Sequence, residues 1–356
     1  MDKKIKKIVL CSLIILVIIF VSFMLLFLYK VSPVDSHSDK TISFTIEAGT
    51  SKVDIVKNLK KKNLIRSEFF AKVILKVLDK DLYAGTYKLS KDMSTNEIIN
   101  MIANQDNIEN ETITITFIEG KRVSTYIKQI SEVFNISEED IKSKISNKNY
   151  LETLIDKYWF LSEDILNEEV YVPLEGYLYP DTYEFKKNST IEDIIDKFLG
   201  NLDSKLSTYK DEIEIGKYSV HQYLTLASIV ELEGVNSNDR RGVAGVFYNR
   251  LNSNIRLGSD VTTYYAVNKD FSNELTWNDL NSCNGYNTRG NCVNALPVGP
   301  ICNPSLSSIA AVIEPEENDY YYFVADKDKN TYFSKTESEH AETVSKLKSE
   351  GKWYTY

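Results

Sequence analysis

The chain has 356 residues, 43% of them hydrophobic, and a formal net charge of −9 at pH 7. An acidic chain lacks the basic face that nucleic acids require, so we expect no nucleic-acid partner. The length allows two domains or more.

The N-terminus combines a lysine cluster with a long apolar run. Four lysines lie within residues 3–7, and the 22 residues from 8 to 29 are uncharged, which is enough for one membrane-spanning helix. The run is longer than a signal-peptide core, and no small-x-small cleavage site follows it. Because lysine clusters stay in the cytoplasm, we predict a single-pass anchor within residues 1–30 and an extracytoplasmic location for residues 31–356.

The segment after the anchor is predicted to contain a linker and a small module. Residues 31–40 have the polar composition of a linker. Residues 41–105 alternate in two places as strands do and carry apolar residues at helical spacing between them, which predicts a β-α-α-β-type unit and one further helix. The residues alone leave open whether this module is a spacer or binds a polymer. The predicted strands are residues 42–46 and 84–89, and the predicted helices are residues 53–59, 67–78 and 94–102.

The remaining residues are predicted to form a larger domain of helices and strands. Residues 113–117 alternate as a strand, and residues 123–133 have helical spacing. Near the C-terminus, residues 320–325 and 331–333 are predicted to form two strands of a hairpin, before a short helix at residues 340–347.

One segment of the larger domain mixes carboxylates with aromatic rings. Residues 173–185 place Glu175 and Asp181 among four rings, two of them Tyr177 and Tyr179. Aromatic rings with polar tips beside carboxylates are typical of a sugar-binding cleft. The alternative is a surface turn on an edge strand.

A predicted helix over residues 220–230 is almost free of charge and leads directly to Glu231, with Gly234 as its stop signal. Desolvation and the negative end of the helix dipole both disfavour the ionised form of Glu231. A carboxylic acid that stays protonated near neutral pH is what general acid catalysis needs, most commonly for glycosidic bond cleavage. The alternative is that Glu231 points to solvent or pairs with Arg240 or Arg241.

Other polar residues follow this helix. Glu233 lies about 200° around a continuing helix from Glu231, so it is predicted to face elsewhere. Asn249 and Arg250 lie on a second packed helix, where they are candidates for substrate hydrogen bonds, although a structural salt bridge explains Arg250 equally well. Asp260 belongs to another acidic turn.

Cysteine and histidine give little evidence for a metal site. Cys283 and Cys292 bracket a Gly/Asn-rich loop, and a disulfide between them is plausible outside the cytoplasm, but Cys302 nearby leaves the pairing open. No cysteine spacing fits a zinc site, and the three histidines are scattered. We therefore expect neither a metal nor an organic cofactor.

Several motifs in fixed order resemble the endolytic murein transglycosylases of the MltG (YceG-like) family, over nearly all of the chain from residue 41 to its end. The motifs are AGTY at residues 84–87, LEGYLYPDTY at 174–183, LASIVE at 226–231, VFYNRL at 246–251, YNT at 286–288, LPVGPI at 296–301 and YFVA at 322–325.

The resemblance implies an α+β protein with a LysM-like subdomain at residues 41–105 and a catalytic domain of mixed α/β structure at residues 106–356. It implies cleavage of peptidoglycan glycan strands between N-acetylmuramic acid and N-acetylglucosamine, with a 1,6-anhydro end formed. Glu231 is then the general acid and afterwards the base. The candidate substrate contacts are Glu175, Tyr177, Tyr179, Asp181, Asn249, Arg250, Asp260, Tyr286 and Asn287.

Two other functions remain open at this point. One is a hydrolytic muramidase that uses Glu175, Asp181 or Asp260 as its second carboxylate. The other is a non-catalytic scaffold that binds the cell wall. The expected partners are peptidoglycan glycan strands and the cell membrane, with cell-wall synthases as natural protein partners.

Overall fold

The computed structural model describes residues 3–109, 112–233 and 236–353, so the predicted helix stop at Gly234 lies outside the described residues. The protein mixes helices with sheet, as predicted, and all three sheets are antiparallel pairs of strands. The chain divides into two compact units, Met1–Glu111 and Thr112–Tyr356.

The first helix, α1 (Lys3–Val31), is continuous because its sequence contains neither glycine nor proline. Its segment Leu10–Val31 has a mean hydropathy of 3.1 and none of it is buried. In the described part of the chain, this is the one helix long and apolar enough to cross a membrane. A membrane anchor and a signal sequence both have this length and composition.

The rest of the N-terminal unit contains a two-stranded sheet whose strands flank a pair of helices in the sequence. Phe44 and Tyr87 lie opposite each other in the sheet, and both are buried. Ser51, Ser67 and Ser94 cap the three helices by accepting backbone hydrogen bonds, which explains where each helix begins. The elements are β1 (Thr41–Ile46), α2 (Lys52–Lys61), α3 (Glu68–Leu78), β2 (Gly85–Ser90) and α4 (Thr95–Ile102).

The C-terminal unit contains the other two sheets, in which β3 pairs with β4 and β5 with β6. Its elements are β3 (Thr112–Thr116), α5 (Val123–Phe134), α6 (Glu138–Ile145), α7 (Lys148–Lys157), β4 (Thr182–Lys186), α8 (Ile191–Leu206), α9 (Lys210–Ile215), α10 (Val220–Leu232), α11 (Arg240–Asn252), α12 (Asp260–Ala266), α13 (Trp277–Leu280), α14 (Leu306–Ile313), β5 (Tyr322–Ala325), β6 (Thr331–Ser334) and α15 (Glu337–Ser349).

Helix α10 lies in the core of this unit. Ser219 and Gln222 form a capping box that fixes its start. Apart from Gln222, every side chain from His221 to Val230 is buried, because the sequence is uncharged on all sides of the helix. The helix packs against α11, α12 and α14. Its C-terminal end, which carries Glu231, is therefore held by several elements.

Cys283 and Cys292 form a disulfide, with their Cα atoms 5.4 Å apart. The bond closes the loop that the sequence had marked as Gly/Asn-rich. Cys302 remains a free, buried thiol. The disulfide thus ties together the two ends of the segment that follows α13.

Candidate active site

Glu231 is held by a dense set of hydrogen-bond donors. Its side chain is 5% exposed, and Arg240 Nη2 donates to Oε1 at 3.0 Å. Oε2 accepts hydrogen bonds from the backbone N–H of Ser305 at 2.9 Å, from Ser305 Oγ at 2.5 Å and from Ser308 Oγ at 2.7 Å. Four donors converge on this one carboxyl group.

This environment differs from the apolar one predicted for Glu231. Ser305 is the N-cap of α14, so the carboxyl group also lies at the positive end of a helix dipole. An arginine, two hydroxyls and a backbone N–H at a helix N-terminus surround the carboxyl group, and the ion pair with Arg240 is the alternative that the sequence left open. In this setting, Glu231 joins α10 to α11 and α14.

Glu233 lies in a different environment, although only one residue separates it from Glu231. Helix α10 ends at Leu232, and Glu233 is its C-cap, with helical backbone angles and an N–H that still donates to the backbone oxygen of Ile229. It is partly buried and accepts a hydrogen bond from Ser259 Oγ at 2.5 Å. It points away from the partners of Glu231 and toward Ser259 at the start of α12, and this is the separation that the helical rotation predicts.

Two adjoining cavities of about 450 and about 320 Å³ open beside Glu233. Their walls share five residues, which come from α12, the disulfide loop, β5, α15 and the end of α10. We call these two cavities together the Glu233 cleft. The shared residues are Glu233, Asp260, Arg289, Phe323 and His340.

The pKa of the Glu233 carboxyl group is higher than that of an ordinary glutamate. Burial raises its pKa to about 7, and the negative charge of Asp260 adds to the rise. The hydrogen bond from Ser259 and the positive charges of Arg289 and Arg250 lower the pKa and offset part of this effect. A carboxyl group with such a pKa is half protonated near neutral pH and can both donate and accept a proton.

An ion pair borders the carboxyl group of Glu233. Arg289 Nε donates to Asp260 Oδ1 at 2.5 Å. Arg250 lines the smaller of the two cavities and donates to the backbone oxygens of Tyr321 at 2.6 Å and Leu257 at 2.8 Å. Of the nine predicted substrate contacts, Asp260 and Arg250 are the two that line the Glu233 cleft.

Four other predicted contacts are buried in the core. Burial raises the pKa of Glu175 to about 7, and its carboxyl group accepts a hydrogen bond from the backbone N–H of Val123 at 2.8 Å. Tyr177 and Tyr286 are 0% exposed and Tyr179 is 7% exposed. As folded, these side chains offer a ligand almost no surface.

The last three predicted contacts lie outside the cleft. Asp181 is exposed and accepts a hydrogen bond from Asn201 Nδ2 at 2.9 Å. Asn249 donates to the backbone oxygen of Tyr320 at 2.9 Å and so fixes the chain leading into β5. Asn287 is buried and accepts a hydrogen bond from the N–H of Arg289 at 3.0 Å, which orders the loop carrying that arginine.

Four polar residues line both cavities, and three of them, Glu233, Arg289 and His340, were not predicted as site residues. The helical rotation placed Glu233 away from Glu231 but gave no signal that it lines a cleft. Arg289 and His340 carry no local signal, since they come from a loop and a helix far apart in the sequence. Among the described residues, no group of three or more His, Cys, Asp or Glu side chains is arranged to hold a metal ion.

The fold and the cleft together define a mixed helix-and-sheet protein with a weakly acidic carboxyl group in a cavity, the class of site that acid–base enzymes use. Residues 44–346 match the YceG-like family. The chain belongs to this family.

Individual relatives agree with that assignment. A Bacillus subtilis (strain 168) protein named endolytic murein transglycosylase is 33% identical over 320 residues, and the match covers 88% of each chain. A Streptococcus pneumoniae serotype 2 protein of the same name is 32% identical, over 88% of this chain and 59% of its own. The crystal structure of a YceG-like protein from Listeria monocytogenes is similar with a TM-score of 0.61 and 34% identity, covering 85% of this chain and 99% of that one.

Proposed function

We propose that this protein is a membrane-anchored endolytic murein transglycosylase that cleaves peptidoglycan glycan strands between N-acetylmuramic acid and N-acetylglucosamine. The observation that carries the proposal is Glu233, a carboxyl group with a pKa of about 7 in a cleft large enough for sugars. Two relatives, each named endolytic murein transglycosylase, supply the substrate class.

In the first step, protonated Glu233 donates its proton to the glycosidic oxygen. The bond between that oxygen and C1 of the muramic acid breaks, which leaves a hydroxyl on the departing sugar and oxocarbenium character at C1. Since a pKa of about 7 keeps much of Glu233 protonated at neutral pH, this residue is a suitable proton donor.

In the second step, the C6 hydroxyl of the same muramic acid attacks C1, and Glu233, now a carboxylate, accepts its proton. The new bond closes the 1,6-anhydro ring and returns Glu233 to its acid form. Because the nucleophile belongs to the substrate, one titratable group serves both steps, and positioning supplies much of the acceleration. No water is consumed.

Glu231, the acid predicted from the sequence, remains the alternative candidate for this role. We favour Glu233 because four donors, one of them on Arg240, already occupy both oxygens of Glu231, and because Glu231 lines neither cavity of the Glu233 cleft. In our account, Glu231 supports the end of α10 from which Glu233 projects.

A hydrolytic muramidase is the second candidate function, and one observation favours it. Asp260 lines both cavities beside Glu233, as a second carboxylate would. Its ion pair with Arg289 argues for a supporting role instead, since a paired carboxylate is less available as a base or nucleophile. The two functions differ in their products.

We also propose a membrane anchor, a glycan-binding module and protein partners for the catalytic domain. The lysines within residues 3–7 and the apolar segment Leu10–Val31 support an anchor with a cytoplasmic N-terminus. The antiparallel pair of strands β1 and β2, with two helices between them in sequence, supports a LysM-like module for glycan binding. Cell-wall synthases are the proposed protein partners. Recovery of the intact chain in a soluble extracellular fraction would contradict the anchor.

Two isosteric variants test the catalytic assignment. Glu233→Gln keeps the shape of the side chain but removes the titratable proton, so we expect loss of glycan cleavage by the full-length protein in detergent micelles. Glu231→Gln is the matched variant and should retain cleavage at a temperature where it is folded. The reverse pattern would return the catalytic role to Glu231.

A further inference from the structure

His340, on α15, lines both cavities of the Glu233 cleft, and its ring stacks on Tyr322 with centroids 5.5 Å apart. Its Nδ1 atom is buried and has no hydrogen-bond partner in the part of the chain that the structure describes. The Nε2 atom likewise bonds to no residue in the described ranges, and it is not enclosed as Nδ1 is. Among the described residues, neither ring nitrogen of His340 has a hydrogen-bond partner, and Nε2 is the one that a ligand in the cleft could reach.

His221 is a buried histidine with a structural role, and it provides a comparison for His340. Its Nδ1 accepts a hydrogen bond from the hydroxyl of Tyr177 at 2.8 Å, and its Nε2 donates to the backbone oxygen of Val298 at 2.8 Å. Both ring nitrogens of this buried histidine are satisfied. An imidazole left unsatisfied costs free energy on folding, so the arrangement at His340 needs a reason other than stability.

The imidazole of His340 is neutral at pH 7. Burial lowers its pKa, and the positive charge of Arg250 lowers it further, while Glu337 opposes the shift. A neutral imidazole offers one donor and one acceptor. Sugar hydroxyls and acetamido groups each present both a donor and an acceptor, so an uncharged sugar is a suitable partner for this ring.

His340 and Glu233 line the same part of the cleft. Both cavities share Glu233 and His340 in their walls, so these two residues lie where the cavities adjoin. If Glu233 protonates the glycosidic oxygen, the sugars on either side of the bond extend into the two cavities. His340 is then within the part of the cleft that these sugars occupy.

We propose that His340 is a substrate-binding residue, whose imidazole hydrogen-bonds a sugar adjacent to the scissile bond. This inference rests on the proposed function, because it takes Glu233 as the group that faces that bond. It assigns the wall formed by β5 and α15 to glycan recognition, and the acid–base chemistry to the wall formed by the end of α10.

Binding of purified, uncross-linked glycan oligosaccharides to the full-length protein in detergent micelles tests the inference. A Glu233→Gln background prevents cleavage during the measurement. In this background, His340→Phe keeps a ring but removes both nitrogens, and we expect about tenfold weaker binding. His340→Gln keeps one donor and one acceptor and should retain most of the affinity. His37→Phe, at an exposed histidine in the N-terminal unit, is the control.

Thermal unfolding separates recognition from support of the fold. Because His340→Phe removes a buried nitrogen that has no partner, its unfolding midpoint should stay the same or rise. Unchanged binding in His340→Phe would overturn the inference. Equal losses of affinity in the Phe and Gln variants, with lowered midpoints, would overturn it too.

Cleavage by the wild-type protein distinguishes this inference from the proposed function. If the wild type does not cleave glycan but His340→Phe weakens binding, the proposed function fails and the recognition role stands. If the wild type cleaves glycan and His340→Phe binds and cleaves equally well, only the recognition role fails. Absence of any glycan binding would overturn both.

Discussion

Glu231 and Glu233 are separated by one residue, yet their carboxyl groups have opposite surroundings. Glu231 is enclosed by Arg240, two serines and the start of α14, whereas Glu233 faces a cavity beside Asp260. Both oxygens of the first carboxyl group accept hydrogen bonds from the protein, whereas burial raises the pKa of the second. This contrast leads us to assign support of the fold to the first glutamate and proton transfer to the second.

Glu231→Gln should destabilise the protein because Arg240 would lose its buried partner. A buried ion pair that loses one member typically costs several kcal/mol, so we expect about 3 kcal/mol less free energy of unfolding, measured by denaturant titration. The control is Glu314→Gln, which removes a partner from the exposed ion pair with Arg241. That loss should be under about 1 kcal/mol. Equal effects would contradict the structural role of Glu231.

The pH dependence of cleavage follows from the pKa of Glu233. Its acid form donates the first proton, so the cleavage rate should fall as the pH rises through about 7. Asp260→Asn removes a negative charge that raises this pKa and leaves Arg289 unpaired, which lowers it further. The falling limb of the rate profile should therefore move to lower pH.

Asp181→Asn is the control for that measurement, since Asp181 is exposed and lines neither cavity of the cleft. Its profile should match that of the wild type. A limb that does not move in Asp260→Asn, or one that moves to higher pH, would show that Glu233 does not govern the profile.

At the scale of elements, the turn before β4 depends on one glycine. Gly176 has φ of +84°, and a Cβ atom there would lie 2.4 Å from Cβ of Pro300. We expect Gly176→Ala to lower the free energy of unfolding by about 3 kcal/mol, through backbone strain and this clash. Gly200→Ala, in α8, is the matched control. It meets no atom within 4 Å and should stabilise the protein by about 0.5–1 kcal/mol.

A stabilising or neutral Gly176→Ala would contradict the close approach between the two loops that carry Gly176 and Pro300.

The disulfide loop contributes to the Glu233 cleft, because it carries Arg289. The bond between Cys283 and Cys292 closes this loop, and Arg256 also clamps it by donating to the backbone oxygen of Gly290 at 2.8 Å. Replacing both cysteines with serine should lower the free energy of unfolding by about 2 kcal/mol and reduce cleavage, since Arg289 is then less firmly held.

A thiol reductant provides the control for the disulfide. It should lower the unfolding temperature of the wild type and leave that of the double-serine variant unchanged. A wild-type unfolding temperature that is insensitive to reductant would contradict a stabilising role for this bond.

Some elements of the fold could be predicted from the sequence. Helix α10 was predicted closely because its uncharged residues are buried on every side. Strands β1 and β2 were predicted because their side chains alternate between the two faces of the sheet. The helical rotation predicted that Glu233 faces away from Glu231, but the cleft that it meets there could not be predicted, since its walls come from distant parts of the chain. The grouping of Arg289 and His340 in one cleft likewise depends on packing.

At the scale of the whole molecule, the proposal combines an anchor, a small N-terminal module and a catalytic domain. Leu10–Val31 has the length of a membrane span, and Glu233, the proposed acid, lies more than 200 positions later in the chain. An enzyme held in this way acts on glycan close to the membrane, where new strands are made. The proposed synthase partners follow from that location.

Mass spectrometry of the cleavage products shows which reaction the protein catalyses. The full-length protein in detergent micelles is incubated with uncross-linked glycan strands, in parallel with Glu233→Gln. Our account predicts wild-type products that end in 1,6-anhydro-muramic acid, lighter by one water molecule than hydrolysis products, and no products from the variant. Reducing ends from the wild type would contradict it and favour a muramidase that uses Asp260, and anhydro products from Glu233→Gln would exclude Glu233 as the acid.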